Sequence, residues 1–550
     1  MPVEERTGPR PSAALATPAP ALRRHIGLVG LTFVSLGSII GSGWLLGALT
    51  AAQAAGPASI VSWMLAGVLV TVLALVHAEL GAAYPVAGGT ARFTHLAFGP
   101  ATGFVAGWAA WLQAVALAPI EVEAALSYLN NKVHGLIHPD GTLTGAGLAV
   151  GVAALLLFTI VNLLGVRWLA ETNAVTVVWK VLIPVLTVGA LITVAFRPGN
   201  FHAGGGFAPY GVKGVFAALP AGVVFALQGF EQAVQLGGEA RDPRRHLARA
   251  IIMATLIGTT LYLLLELAFI GSLDPAQIAH GWLHPVGPGD YGPYATLATN
   301  LGLGWLATLL YIDAVISPGG TALVYLGTSS RLSYSLGRTH YLPGGLDRLD
   351  RRGTPVVSVV LAFVVGLLMF LPFPSWQNLV SLISSATFVM YAFAPVSLIV
   401  LRRADPRRPR PYRLPAAGVL APAGFVAANL IVYWAGWRTN QKLLLAVGVG
   451  IGLFVVTLVL NYGSGRLAGH RATLAWRAGR WVPPWLGGLG LISWLGQYRG
   501  RGVIPFWADL AVVTVFSLIV FAYAVRCAPP AAAIRALVAA DLDEAGPRRR

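Results

Sequence analysis

Long apolar runs separated by short polar segments recur along the whole chain. Thirteen of them approach or exceed the ~20 residues that an α-helix needs to cross a bilayer. They occupy residues 26–49, 57–83, 98–128, 146–166, 172–196, 213–237, 249–273, 292–334, 355–373, 377–401, 415–436, 442–462 and 504–526. The run at 292–334 is too long for one span and predicts a span near 295–325 with a helical extension.

The first run contains a cluster of three glycines, Gly37, Gly41 and Gly43. Glycine disfavours a helix by about 1 kcal/mol relative to alanine. A helix breaks inside a bilayer only where the freed backbone groups face protein or a water-filled cavity. Residues 37–43 are therefore predicted to form a broken helix, with N–H groups for a carboxylate and carbonyls for an ammonium group. A close helix–helix contact through small residues is the alternative.

A second interrupted run, residues 213–237, lies five spans later. Glycine and proline interrupt it, and Gln228, Glu231 and Gln232 are polar at membrane depth. Two such segments in corresponding positions of two halves indicate a transporter site. We therefore expect two inverted repeats, 25–196 and 213–403, in a ten-helix core over 25–403, with the site between spans 1 and 6.

Composition places the chain in the membrane. The 550 residues are 56% hydrophobic and 11% charged, with a mean hydropathy of +0.70, whereas soluble domains carry about 25% charged residues. The single cysteine, Cys527, excludes an internal disulfide. No P-loop and no Cys/His cluster with metal-ligand spacing occurs in the sequence, so we expect no cofactor and no metal.

The positive charges predict an orientation. With the N-terminus in the cytosol, the cytosolic segments hold 27 of the 38 Lys and Arg residues and the short external loops hold 5. The basic residues thus act as loop anchors in a multi-pass protein of the cell membrane, and nucleic acid is excluded as a partner. The thirteenth span would leave the C-terminal arginines outside, which conflicts with this rule, so the last span stays open.

The segments outside the core are assigned from the same pattern. Residues 1–24 are predicted to be a disordered cytosolic tail, and 404–463 to hold peripheral helices 11 and 12. Residues 464–503 are predicted to be a basic cytosolic loop, 504–526 an extra transmembrane helix, and 527–550 a C-terminal tail.

An ordered set of short motifs resembles the amino acid–polyamine–organocation permease superfamily. The motifs are Gly41-Ser42-Gly43, Ala78-Glu79-Leu80 through Gly88-Gly89, Phe98-Gly99-Pro100 through Gly107-Trp108, Gly229-Phe230-Glu231 with Glu239 through Arg245, and Ser329 through Arg338. The stretch from Gly37 to Leu45 resembles the bacterial aspartate:proton symporter group in particular. The resemblance implies an all-α, LeuT-like fold with five-plus-five inverted repeats, broken helices 1 and 6, about 12–13 transmembrane helices and alternating access.

The resemblance also implies where an amino acid binds. Backbone N–H groups of Ser42 and Gly43 would hold its carboxylate, and carbonyls near Ile39, Phe225 and Gln228 would hold its ammonium group. Gly229 belongs to the same second break. Phe225 occupies the place of the family's aromatic gate, where some relatives carry tryptophan.

Charged residues inside the spans are costly and mark function. Lys180, in span 5, stands where many proton-coupled members of the superfamily carry a lysine, and we expect it to couple proton and substrate movement. Snorkelling to the interface is its alternative. Glu231 is either a second proton site or a structural carboxylate that caps freed backbone N–H groups. Glu121 and Glu123 point to different faces of span 3, and at least one is expected to face a polar cavity.

The predicted function is import of amino acids by proton symport. An exchanger of amino acids or polyamines is the alternative within the same class. A membrane-embedded transferase would need clustered carboxylates for metal-bound phosphates, and the acidic residues here are scattered. The expected partners are an acidic or neutral amino acid, the proton and membrane lipid. The sequence leaves the oligomeric state open.

Overall fold

The computed structural model describes residues 26–86, 88–164, 168–287, 292–338, 342, 345–346, 348–350, 354–371, 375–463 and 475–545. The predicted tail at 1–24 and the C-terminal arginines lie outside these residues. The described regular elements are helices: α1 (Leu28–Ile39), α2 (Ser42–Ala55), α3 (Ser59–Ala83), α4 (Gly89–Phe98), α5 (Pro100–Asn130), α6 (Gly145–Leu163), α7 (Trp168–Ala195), α8 (Gly211–Ala218), α9 (Val224–Ala226), α10 (Glu231–Gln235), α11 (Pro243–Ser272), α12 (Pro275–Ile278), α13 (Pro293–Asn300), α14 (Gly304–Arg338), α15 (Val356–Phe370), α16 (Trp376–Ala404), α17 (Ala417–Trp434), α18 (Trp437–Gly463), α19 (Trp476–Gly479), α20 (Val482–Leu495), α21 (Phe506–Arg526) and α22 (Ala531–Ala545).

The prediction of an all-helical, multi-pass membrane protein is confirmed. Within the described part of the chain, 10 segments are long and apolar enough to cross a membrane, and four shorter apolar helices accompany them. The long run at 292–334 divides into α13 and α14, so the candidate span begins at Gly304 and not near residue 295 as predicted. α5 and α16 lie at the centre, since 94% of the apolar window in each is buried inside the protein.

Both glycine-containing runs are interrupted in the structure. The first is divided between α1 and α2 by the non-helical residues Ile40 and Gly41. In the second, a π-helical turn at Leu219–Val223 joins α8 to α9, and residues 227–230 leave the helical conformation before α10. Local sequence explains the turn, because proline removes a backbone donor and Gly222 adopts a φ of 154°.

The segment 464–503 differs from the predicted basic loop. Its described part contains α19 and the half-buried helix α20. Just before α20, Trp481 packs against Phe98, at the end of α4. Just after it, the Tyr498 carbonyl accepts a hydrogen bond from the Trp437 N–H, at the start of α18. The apolar residues between these points allow the chain to pass from one end of the helix bundle to the other.

The C-terminal helices α21 and α22 lead back to the end of the helix bundle at which Trp481 packs against Phe98. α21 begins with Phe506 near Lys213, and Cys527, just after its last residue, accepts a hydrogen bond from Arg480. The predicted tail at 527–550 contains α22, which packs on α4 and on the end of α16, where Arg535 donates to the Ala404 carbonyl at 2.9 Å.

Candidate functional site

The two helix breaks lie directly against each other. A Cβ atom on Gly43 would be 2.7 Å from the Cα of Ala226, and one on Gly229 would be 2.7 Å from the backbone nitrogen of Ile39. Gly229 also has a φ of 121°, which L-residues rarely adopt. Glycine is required at both positions because the backbones of the two breaks are in contact, and this contact brings their free polar groups together.

The N-terminus of α2 holds a carboxylate that comes from the protein itself. The Ser42 N–H donates to Oε2 of Glu121 at 2.8 Å. The Ser42 hydroxyl accepts from the Trp376 indole N–H at 3.1 Å, and the Ile39 carbonyl accepts from the Tyr262 hydroxyl at 2.7 Å. A helix N-terminus with free N–H groups favours an anion, so the cradle predicted for a carboxylate has the required chemistry.

Lys180 is buried beside the first break. Its ammonium group donates to the Gly37 carbonyl at 2.8 Å and to the Thr321 hydroxyl at 2.7 Å, and the residue is 2% exposed. The side chain thus extends into the protein and not to a membrane interface. The hydroxyl of Thr321 and the carboxylate of Glu121 both lie next to Gly41, so Lys180 and Glu121 belong to one polar cluster.

Glu231 is saturated with hydrogen-bond donors. It accepts from the Gly229 N–H at 2.9 Å, the Tyr391 hydroxyl at 2.5 Å, the Gln113 amide at 3.0 Å and the Tyr325 hydroxyl at 3.3 Å. These donors lie in the second break and in α16, α5 and α14. The carboxylate therefore caps a freed N–H group and ties three long helices to the break, which is the geometry of the structural alternative.

A small cavity lies between the breaks, with an accessible volume of about 10 Å³, which is room for roughly one water molecule. It is lined by residues of the first break, of the second break and of the central helices α5 and α14: Ser38, Ile39, Gly41, Gly43, Phe225, Gln228, Leu117, Glu121 and Tyr325. The Phe225 ring meets the Trp376 ring edge to face, with centroids 5.8 Å apart, and covers one side. Four of the six predicted substrate-binding residues line this cavity: Ile39, Gly43, Phe225 and Gln228. Gly229 lies against the backbone of Ile39, and the Ser42 N–H donates to Glu121.

Two further carboxylates at membrane depth, Glu121 and Asp313, accept hydrogen bonds near the first break. Glu121 lines the cavity, which confirms that one of the two span-3 carboxylates faces it. Glu123 is buried with neither oxygen hydrogen-bonded to a described residue. Asp313 accepts from Trp44, Trp179 and Ser317 and thereby joins α2, α7 and α14. An acidic residue at membrane depth was the available signal, but only packing shows which way it points.

Another acidic residue, Glu79 of the second-span motif, is buried at the end of α3. It pairs with Arg402 and, at 3.3 Å, with Arg410, and it accepts from the Leu414 N–H at 2.7 Å. This ion pair joins α3 to the end of α16 and to the loop after it. No group of three or more His, Cys, Asp or Glu side chains suited to a metal ion occurs among the residues that the structure describes.

Comparison with known proteins gives a consistent result. The profile of the family described as amino acid permease matches residues 26–456. The chain is 35% identical over 516 residues to the glutamate/serine transporter AimA of Bacillus subtilis, covering 92% of this chain and 94% of the relative. It is 33% identical over 520 residues to the aspartate-proton symporter of the same organism, covering 93% and 98%. A branched-chain amino acid permease, BcaP of Bacillus subtilis, is 28% identical over 451 residues, covering 79% and 93%.

Proposed function

The chain belongs to the amino acid permease family, and on that basis we propose that it imports amino acids by proton symport through alternating access. This is a family of transporters and not of enzymes, so the transferase alternative is excluded. The observation that carries the proposal is the carboxylate held by the Ser42 N–H, with the Lys180 ammonium group on the neighbouring Gly37 carbonyl. A backbone donor that binds a carboxylate and a buried titratable cation thus lie at one helix break.

The inverted-repeat core is part of this proposal. The break between α1 and α2 opens the first group of five spans, and the break between α9 and α10 opens the second. Their direct contact at Gly43 and Gly229 supports a site at the interface of the proposed repeats, 25–196 and 213–403. Sites of inverted-repeat transporters lie at such an interface.

The substrate's backbone groups fit the two breaks. Its carboxylate would take the N–H groups of Ser42 and Gly43. Its ammonium group would take carbonyls near Ile39, Phe225 and Gln228. The Ile39 carbonyl already accepts from the Tyr262 hydroxyl at 2.7 Å and from the Gly41 N–H at 3.2 Å, so the substrate's ammonium group would have to replace one of these donors.

Proton coupling follows from competition at this cradle. Glu121 occupies the Ser42 N–H, and two carboxylates cannot share one donor without strong repulsion. A substrate carboxylate therefore displaces Glu121, which takes up a proton. Lys180 is coupled to this exchange because its ammonium group donates to the Gly37 carbonyl in the same break. Glu231 stays a prediction as a proton site; its four donors support an anchoring role.

The proposed substrate class is taken from the names of the relatives. One is named for glutamate and serine and one for aspartate with a proton. We therefore propose acidic amino acids and serine as the first substrates to test.

The orientation in the membrane is also proposed, with α20 as an additional crossing. Arg499 and Arg501 then lie outside, and the five arginines from Arg526 onwards lie in the cytosol. The cytosolic segments then hold 30 Lys and Arg residues and the external loops hold 7.

The test is uptake of radiolabelled aspartate, glutamate, serine, alanine, leucine and putrescine into proteoliposomes. Each is measured with and without an inward proton gradient, and with sodium exchanged for potassium. Proton-stimulated, sodium-independent accumulation is expected. Uptake only into vesicles preloaded with amino acid would identify an exchanger, and transport of putrescine alone would replace the substrate class.

A further inference from the structure

We propose that the side-chain amide of Gln228 selects substrates by donating a hydrogen bond to an acceptor on the substrate's side chain. This rests on the proposed function and deepens it, because it assigns the amide a role beyond that of the residue's backbone carbonyl. The chemical class that it favours is amino acids with a carboxylate or hydroxyl close to the backbone, such as aspartate, glutamate and serine.

The amide is buried at the cavity with an unused donor. Gln228 lies in the second break, is 4% exposed and lines the cavity with Phe225 and Glu121. Its Nε2 atom is buried and has no hydrogen-bond partner among the described residues. A buried donor without a partner is costly, and a ligand that supplies an acceptor recovers that cost. The unused donor therefore favours a polar substrate side chain over an apolar one.

Thr387, in α16, pairs with the oxygen end of the amide. Its hydroxyl lies 2.9 Å from Gln228 Oε1, which leaves Nε2 as the free end. The same hydroxyl lies 2.8 Å from the Ile383 carbonyl, so its hydrogen is shared between two acceptors. An amide turned the other way would present an acceptor to the substrate, and the experiment below distinguishes these two arrangements.

The charges of the site make this donor decisive for acidic substrates. Glu121 offers no positive charge to an acidic side chain, and the Lys180 ammonium group is engaged by Gly37 and Thr321. A neutral donor attracts an acceptor without adding charge that would compete with proton coupling. A site built to hydrogen-bond a substrate group rejects the analogue that lacks it, since the site's own polar group is then left unpaired.

The test compares Gln228→Glu, which replaces the donor by an acceptor, with Gln228→Met, which removes both without adding charge. Gln277→Glu is the matched control, because Gln277 is exposed in the short helix α12. For each protein, Vmax/KM is measured for aspartate, glutamate, serine and alanine in proteoliposomes. Both Gln228 variants are expected to lower the ratio of aspartate or serine to alanine by about tenfold or more, and the control is expected to keep it.

Three results would overturn the inference. A ratio that Gln228→Glu keeps but Gln228→Met loses would mean that the amide presents its oxygen. An equal loss for all four substrates would mean that Gln228 acts only through the backbone. If neither variant reaches the membrane, Thr387→Val takes their place, since it releases the amide, and an unchanged ratio would refute the role. Failure of the unaltered protein to transport any amino acid would instead refute the proposed function.

Discussion

Glu121→Gln tests whether an internal carboxylate competes with the substrate for the first break. The substitution removes the charge but keeps an acceptor for the Ser42 N–H, which now meets Glu121 at 2.8 Å. A hydrogen bond to a charged group contributes about 1.5–3 kcal/mol and a neutral one about 0.5–1.5 kcal/mol. The competitor is therefore weakened by about 1–1.5 kcal/mol, which corresponds to roughly five- to tenfold tighter substrate binding.

The variant is also expected to lose the link between proton and substrate. Binding of labelled aspartate and serine is measured on purified protein at acidic and at alkaline pH, and uptake is measured in proteoliposomes. We expect tighter binding with little pH dependence, together with exchange of preloaded substrate but no accumulation driven by a proton gradient.

Glu123→Gln is the matched control. It makes the same change two residues away in α5, at a buried carboxylate that does not line the cavity. It is expected to keep both the pH dependence and the gradient-driven accumulation. Weaker binding by Glu121→Gln, or accumulation that still follows the proton gradient, would show that Glu121 is not the competing group.

Three further experiments test the contact between the two breaks, the role of Lys180 and the proposed crossing by α20. Gly229→Ala places a Cβ 2.7 Å from the backbone of the first break at a positive φ, with a strain of about 1–2 kcal/mol and an overpacking cost of about 1–3 kcal/mol, so uptake and Tm should both fall. Gly189→Ala, inside α7 with nothing within 4 Å, should keep uptake and should not lower Tm. Lys180→Met removes the ammonium group from the Gly37 carbonyl and should abolish proton-driven uptake, and full uptake at every pH would exclude Lys180 from coupling. A fluorescent protein fused after the last residue should fold in the cytosol, and Arg501→Cys should react with an impermeant thiol reagent from outside; the reverse pattern would show that α20 does not cross.

The sequence by itself determined the elements and the place where they break. Long apolar runs specify membrane helices because lipid cannot satisfy free backbone groups, and this constraint acts on each segment separately. Glycine and proline act on the local backbone in the same way, so the interruptions at 37–43 and 213–237 were readable before any packing was known. The motifs from Gly41 to Arg338 occur in the order of the permease superfamily and indicated the family from sequence alone.

Only the tertiary structure decided which polar groups meet. Glu121 and Glu123 differ by two positions in one helix, yet one bonds Ser42 and the other has no described partner. The sequence leaves Glu231 between two roles, and only the structure shows the four donors, from four elements of the chain, that support an anchoring role. The sequence pattern also did not predict α20 within 464–503, because this helix has only 14 residues, fewer than the ~20 of a membrane span, and it contains glycine and proline. Which face a side chain presents depends on contacts between segments far apart in the chain, and a local pattern carries no record of those contacts.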